Sequence, residues 1–209
     1  EQSLMLARDF FGIKPVYYAE IDGHFVFASE IKSILAFPGY ERKVNQKALE
    51  QYLSFQYAPL EETFFKGIYK LMPGHMLLYK NGNYEIKTYF KTKLTPGKWN
   101  RKTNMDQLRS QLAEILKDSV KHHMLSDVEV GAFLSGGVDS GYLASASGAD
   151  QAFTVGFDEG DRYSEVNKAA KVAEKTGLKH HVKIISKQEF WDALPDVMYH
   201  MDEPLGDAS

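Results

Sequence analysis

One stretch of the chain has the residue types and spacing for anion chemistry: Phe133-Leu134-Ser135-Gly136-Gly137-Val138-Asp139-Ser140. It follows an apolar run, Val128 to Leu134, and precedes a helical segment, Ser140 to Ser147. Two adjacent glycines let the backbone approach a ligand closely and take conformations closed to other residues. The N–H groups of such a turn and of the helix start converge on one point, which favours negative charge. Ser135 and Ser140 add hydroxyl donors, and Asp139 offers a hard oxygen ligand suited to Mg²⁺ beside phosphates. A Gly-Gly turn capped by Ser or Asp that binds nothing is the plain alternative. The agreement of strand, loop and helix around the motif favours the anion site. No G-x-x-x-x-G-K-[ST] occurs, so this is not a Walker-type loop.

The elements that must hold this loop follow from periodicity. Leu108, Leu112, Ile115, Leu116, Val120 and Met124 recur at helical spacing, which predicts an amphipathic helix over Asp106 to Leu125. Val128 to Leu134 reads as a buried strand, and Ala152 to Phe157 and Val182 to Ile185 as two more. Between them lies a helix from Tyr163 to Thr176, ended by Gly177. Ser186 with Glu189 three residues on is a capping box that opens a further helix carrying Trp191, Leu194, Val197 and Met201. Alternating strands and helices predict a parallel sheet with crossover helices, an α/β unit.

The first hundred residues read differently. Lys14 to Glu20, Asp22-Gly23 and His24 to Ala28 form one hairpin signal. His75 to Tyr79, Asn81-Gly82 and Tyr84 to Tyr89 form a stronger one, because Asn-Gly suits a type I′ turn. Short helices fall between them: Ser29 to Phe37, and one capped by Asn45 with Leu49, Tyr52 and Leu53 on a face. This is an α+β pattern. The Pro, Gly and positive charge of Thr95 to Lys102 mark a linker, so the expected division is 1–95, a linker at 96–104, and 105–209.

Composition bounds the function. The chain has 209 residues, 44% of them hydrophobic, 25 Lys+Arg and 28 Asp+Glu, for a net charge of -3. That excludes a disordered chain and disfavours a strongly basic nucleic-acid binder. No apolar run approaches the ~20 residues of a membrane span. There is no cysteine, hence no disulfide, thiolate metal site or cysteine nucleophile within these residues. His122-His123 and His180-His181 are sequence neighbours whose side chains point in different directions, which argues against metal pairs. Lys179-His180-His181 is expected to lead, solvent-exposed, into a strand.

Ser135 to Ser140 resembles the pyrophosphate loop of the ATP-pyrophosphatase superfamily, whose members adenylate a substrate and release pyrophosphate. The loop alone also fits GMP synthetase, NAD synthetase, argininosuccinate synthetase and tRNA-thiolating enzymes. Ser126-Asp127-Val128-Glu129-Val130-Gly131, Phe153-Thr154-Val155-Gly156-Phe157 and Met201-Asp202-Glu203-Pro204 narrow the likeness to glutamine-hydrolysing asparagine synthetases. Ala7 to Tyr18, Phe27 to Lys32 and Met72-Pro73-Gly74-His75 resemble the second half of that family's N-terminal nucleophile glutaminase domain.

The resemblance implies part of a glutaminase sandwich followed by part of an adenine-nucleotide alpha-hydrolase-like domain. It implies an internal fragment of a cytoplasmic enzyme that uses aspartate, glutamine, ATP and Mg²⁺, without nucleic acid or membrane partners and with a homodimer as one form of assembly. Ser135, Gly136, Gly137, Asp139 and Ser140 would hold the β- and γ-phosphates, with Asp139 also on Mg²⁺. Leu134 and Val155 stand where relatives touch adenosine through backbone groups. Asp202 and Glu203 would border the same crevice, with a solvated helix end as the other reading. Gly141 departs from the many relatives with a second Ser there. No glutaminase nucleophile lies in the chain, since the family uses an N-terminal Cys, and the synthetase's catalytic residue stays unassigned. A β-lactam-forming or other carboxylate-amidating synthetase, and a non-catalytic nucleotide-binding protein, remain alternatives.

Overall fold

The computed structural model describes residues 3–93, 104–158, 164–204 and 206. Most of the expected linker, Trp99 and the expected helix start at Tyr163 lie outside the described residues. The chain forms two compact units: Glu1–Pro96 together with Pro195–Ser209, and Gly97–Leu194.

The first unit contains β1 (Ser3–Ala7), β2 (Tyr17–Ile21), β3 (His24–Ala28), α1 (Ile31–Leu35), α2 (Gln46–Phe55), β4 (Ile68–Lys70), β5 (His75–Lys80) and β6 (Asn83–Thr88). They make two antiparallel sheets, ordered β1-β5-β6 and β3-β2-β4. Both expected hairpins form. Their turn residues, Asp22-Gly23 and Asn81-Gly82, all have positive φ, as a type I′ turn requires.

Strand alternation lets β2 serve two cores. Ala19 and Ile21 join Ile31 and Ile34 of α1 and Ile68 of β4. Tyr18 points the other way, onto Leu71 and Leu77, with Leu6, Phe25 and Tyr69 around them. The period-2 pattern thus builds a helix-on-sheet layer and a second layer between the sheets.

The loop after β1 is held from inside. Arg8 donates to the carbonyls of Lys14, Gly12 and Leu71 at 3.1, 3.0 and 2.8 Å. The Asp9 carboxylate accepts the N–H groups of Ile13 and Lys14 at 2.9 and 3.0 Å. Those backbone bonds, Lys14's first, hold the Asp9 pKa below its ordinary value.

Asn45 caps α2, accepting from the Lys47 N–H at 3.2 Å. The expected apolar face is only partly used: Ala48 is buried while Leu53 is 74% exposed. Helical spacing fixes which residues share a face, and the face is buried only where another element covers it.

The second unit contains α3 (Met105–His123), β7 (Ala132–Phe133), α4 (Val138–Ser147), β8 (Gln151–Phe157), α5 (Val166–Thr176) and β9 (Lys179–Ile185), and α6 (Lys187–Met201) runs on from it. The sheet is parallel in the order β7-β8-β9. Pro195 lies within α6, at the point where the chain returns to the first unit.

Two expectations are corrected here. The run Val128 to Leu134 yields only Ala132–Phe133 as strand, and Val128 is 76% exposed. β7 is an edge strand, and the ladder reaches only the residues paired with Ala152 and Phe153. Secondly, Lys179, His180 and His181 are strand residues of β9 rather than a lead-in to it; Lys179 is exposed as expected, and the two histidines are half-buried.

The buried core of this unit is Leu134 surrounded by four small side chains, Ala144, Ala152, Ala169 and Ala173. Alanines let α4 and α5 lie close to the sheet. Gly156 serves the same end, since an added Cβ would meet Val166 Cγ2 at 2.6 Å and Ile184 Cδ1 at 2.7 Å.

The capping box of α6 closes as its sequence predicts. Ser186 N–H donates to Glu189 Oε2 at 2.8 Å, and Glu189 N–H donates to Ser186 Oγ at 3.2 Å. The Ser186 backbone bond and then the Lys183 ammonium hold the Glu189 pKa down to about 2. The folded value lies below the free carboxylate's ~4.3, so the cap is complete above that pH and fades as pH falls toward 2. The Ser186 amide resonance should therefore titrate with a midpoint near 2 and lose that titration in Glu189→Gln. A free-carboxylate midpoint would show that the box does not form.

Candidate functional site

The site is built where β7 ends. Leu134, only 2% exposed, is the last residue gripped by the sheet, its N–H donating to the Phe153 carbonyl at 2.9 Å. The chain then turns through Ser135-Gly136-Gly137 into α4, with Gly137 as N-cap in an extended conformation.

Gly136 has φ +75°, and an added Cβ would lie 2.6 Å from Lys168 Cβ and 2.8 Å from the Ala169 backbone nitrogen. The loop is thus pressed against the first turn of α5 at a point where only hydrogen fits. Both demands, the left-handed backbone and the close approach, select glycine. Gly137 differs, since its Cβ would meet only Ser135 Oγ at 3.3 Å and Ser140 Oγ at 3.8 Å.

The two serines close the loop into a ring. Ser135 Oγ and Ser140 Oγ are 2.9 Å apart, and Ser140 Oγ accepts the Ser135 N–H at 3.3 Å. Ser135 Oγ accepts the Gly137 N–H at 3.4 Å, while Gly141 N–H is taken by Gly137 O at 3.0 Å as the first bond of α4. The Ser135 and Gly137 N–H groups are taken up inside the ring, so the donors open to an anionic oxygen are the Gly136 N–H, the N–H groups of the first turn of α4 and the serine hydroxyls.

Asp139 stands in the first turn of α4, exposed, and makes no hydrogen bond or ion pair among the described residues. A single exposed carboxylate next to a phosphate cradle suits Mg²⁺, which binds through one or two carboxylates and takes its remaining oxygens from phosphate and water. Among the described residues no group of three or more His, Asp and Glu side chains forms a protein-only cation cage.

Leu134 has less backbone to offer a ligand than its position suggests. Its N–H is in the ladder and its carbonyl accepts Thr154 Oγ1 at 2.6 Å, leaving one carbonyl lone pair. Val155 is 52% exposed and, with Phe133, Phe153 and Val182, lines an apolar pocket on the open face of the sheet, along the middle of β8 and β9. The loop Ser135–Ser140 itself leaves from the carboxyl end of β7, the end at which open α/β sheets bind their ligands.

Asp202 and Glu203 make their contacts within the first unit. The Asp202 carboxylate accepts the N–H groups of Ile31 and Lys32 at 2.7 and 3.2 Å, capping α1 in place of Glu30, whose side chain makes no cap bond. It also pairs with Lys32 Nζ at 3.0 Å. Glu203 accepts the Phe64 N–H at 2.7 Å and stands 3.6 Å from Lys70 Nζ.

These groups shift one another. Desolvation lowers the Lys32 pKa, but its ammonium's interactions with the Asp202 and Glu30 carboxylates, which accept from it, outweigh this and leave the value raised. Burial lowers that of Lys70 against the opposing pull of Glu203. Burial, then the charges of Glu203 and Asp202, raise that of Tyr17. The acidic pair is a clasp that ties the chain's return segment to the first unit.

Sequence reading passed over Thr154, Lys32 and Lys70. Thr154 carried a signal, a single hydroxyl in the otherwise apolar run Ala152 to Phe157. The lysines carried none, because their partners lie far along the chain.

Two substitutions test this geometry in the 209-residue chain. Gly136→Ala should cost about 1–3 kcal/mol for the strained backbone alone, while Gly137→Ala should cost about 1 kcal/mol or less. Urea unfolding of both measures the difference, and equal costs would contradict the contact with α5. Asp202→Ala should lose about 0.5–2 kcal/mol, as an N-cap does, and speed amide exchange at Ile31 and Lys32. Unchanged exchange at those two amides would remove the clasp.

Comparison with known proteins gives two family matches, the second of which runs past Leu194 into the segment that packs with the first unit. Residues 1–90 match the model of the glutamine amidotransferase domain family, and residues 111–209 match that of asparagine synthase. Asparagine synthetase [glutamine-hydrolyzing] 1 of Bacillus subtilis is 38% identical over 206 residues, covering 96% of this chain and 32% of its own length. A putative asparagine synthetase [glutamine-hydrolyzing] of Mycobacterium bovis is 35% identical over 216 residues, covering 99% of this chain and 33% of its own. The chain therefore spans about a third of the length of these relatives. The solved NH3-dependent NAD synthetase of Campylobacter jejuni shares 20% identity over 46% of this chain and 42% of its own, with a TM-score of 0.29, too slight a likeness to bear on the fold.

Proposed function

We propose, on the premise that residues 1–90 belong to the glutamine amidotransferase domain family and residues 111–209 to the asparagine synthase family, that this chain is part of an enzyme making asparagine from aspartate, ATP and glutamine-derived ammonia. The observation that carries the reading is the ring Ser135–Ser140 at the end of β7, with Gly136 in a conformation and a space that admit no side chain.

In this reading Ser135, Gly136, Gly137 and Ser140 hold the β- and γ-phosphates of ATP through N–H groups and hydroxyls. The base lies toward the apolar pocket at Val155, and the free lone pair of the Leu134 carbonyl faces the nucleoside. The β-carboxylate of aspartate attacks the α-phosphorus, and the bond to pyrophosphate breaks. Ammonia then attacks the acyl carbon of the adenylate, AMP leaves with the former carboxylate oxygen, and asparagine remains. The loop acts on the leaving group, since N–H donors and hydroxyls held beside it stabilise charge as it develops, the serine hydroxyls exchanging their bond to each other for bonds to phosphate. Asp139 would hold Mg²⁺ beside the pyrophosphate, and when bound the ion would supply charge neutralisation at the leaving oxygens.

The 209 residues contain no thiol, so the nucleophile for glutamine hydrolysis has to come from outside them. In this reading the reaction belongs to the cytoplasm, where ATP is supplied; no helix among the described residues is long and apolar enough to cross a membrane.

Asp139→Asn in the full-length protein tests the reading, because it keeps the shape and removes the charge. Pyrophosphate release should fall by a factor on the order of 10²–10³, the usual worth of a group aimed at transition-state charge. Basal glutamine hydrolysis should persist. Parallel loss of both activities would indicate misfolding, and an unchanged pyrophosphate rate would take Asp139 out of the site.

A further inference from the structure

We infer that Thr154 and His180 form a side-chain relay across the parallel sheet that positions the loop Ser135–Ser140. The inference rests on the proposed function for its kinetic arm and on the structure for the relay itself.

The need for such a device follows from the shortness of β7. Its ladder with β8 pairs only Ala132 with Ala152 and Phe133 with Phe153. The loop departs one residue later, so little main-chain hydrogen bonding fixes the peptide from which it springs. Leu134 N–H reaches the Phe153 carbonyl, but the next strand residue on β8, Thr154, bonds Leu134 by its side chain. Thr154 Oγ1 donates to the Leu134 carbonyl at 2.6 Å, with Thr154 only 5% exposed and Leu134 only 2%. A hydroxyl thus extends the grip of β8 on β7 by one residue, at the point where the loop begins.

The second link comes from β9. His180 Nε2 lies 2.7 Å from the same Thr154 Oγ1. A hydroxyl has one proton, and here it is committed to a carbonyl, which only accepts. Thr154 Oγ1 must therefore accept from the imidazole, and His180 Nε2 carries the proton. His180 stands opposite Ala152 in the parallel register, so it shares the buried face of β8 with Ala152 and Thr154. The hydrogen bonds run from His180 of β9 to Thr154 of β8 to the carbonyl of Leu134, the residue that follows β7. Its effect is directional, because the imidazole proton blocks the hydroxyl from turning toward β9 and keeps its own proton on β7. Neither side chain is part of the phosphate ring, so both are positioning residues.

Thr154→Val keeps the shape of the side chain and removes the proton, leaving a buried carbonyl unpartnered. Thr154→Ser keeps the hydroxyl. In the full-length protein Thr154→Val should raise the KM for ATP in pyrophosphate release by about tenfold, the usual cost of a buried acceptor left bare, and Thr154→Ser should restore it. His180→Leu should have a smaller effect, since Thr154 can still donate. The double variant Thr154→Val, His180→Leu should be no worse than Thr154→Val alone, because His180 acts only through Thr154. Additive effects would overturn the relay.

A second arm needs no nucleotide. In the chain labelled with ¹⁵N, His180 should show its proton on Nε2. The Ser135 and Gly136 amides should move in Thr154→Val, move less in His180→Leu, and stay in place in Thr154→Ser. A proton on Nδ1 alone, or loop amides indifferent to Thr154→Val, would overturn the inference whatever the enzyme's activity. If Thr154→Val does not fold, His180→Leu and the tautomer carry the test. Absence of pyrophosphate release by the unaltered protein would instead strike the proposed function and leave this arm to decide the relay.

Discussion

The contact on which the second unit turns is the approach of Gly136 to the first turn of α5. An atom on Gly136 would fall within 2.8 Å of the Ala169 backbone nitrogen, so the loop can sit there only without a side chain. The alanine core sets that separation. Ala144, Ala152, Ala169 and Ala173 bring both flanking helices down onto the sheet, and Gly156 removes the last obstruction between α5 and β8. Larger residues at these positions would bury more apolar surface, but they would lift α5 away and open the loop. The unit gives up some hydrophobic stabilisation for a fixed backbone at the end of β7.

The first unit obeys a different constraint. Helix α1, the backbone at Phe64 and Lys70 of β4 are held by carboxylates from distant residues. Asp202 and Glu203 satisfy N–H groups at Ile31, Lys32 and Phe64, and they meet two lysines whose side chains are largely covered. α1 is short and its own preceding residue provides no cap. A carboxylate from the far end of the chain does so instead. The segment after α6 is therefore part of how the first unit folds, although it follows the whole second unit in sequence.

Local chemistry was legible in the sequence. Asp22-Gly23, Asn81-Gly82, the Asn45 cap and the Ser186–Glu189 box all depend on neighbours a few residues away, and all form as read. The loop Ser135–Ser140 was legible for the same reason, since its serines bond to each other within six residues. Long-range placement was not. Nothing near Asp202 or Glu203 in sequence tells that their partners lie well over a hundred residues upstream. The length of β7 depends on how far β8 runs beside it, and the exposure of Leu53 depends on what covers α2. Periodicity assigns residues to faces and leaves open which faces find a partner.

The central claim is that the backbone between Leu134 and α4 is a ready-made cradle for polyphosphate. The direct measurement is a titration of the ¹⁵N-labelled chain with Mg²⁺-pyrophosphate, following the amides of Ser135, Gly136 and Gly137. The account predicts that these resonances shift first, saturate together, and do so without disturbing the Ile31, Ile34 and Ile68 core of the first unit. Loop amides that remain still at saturating pyrophosphate, or shifts confined to another part of the chain, would contradict it.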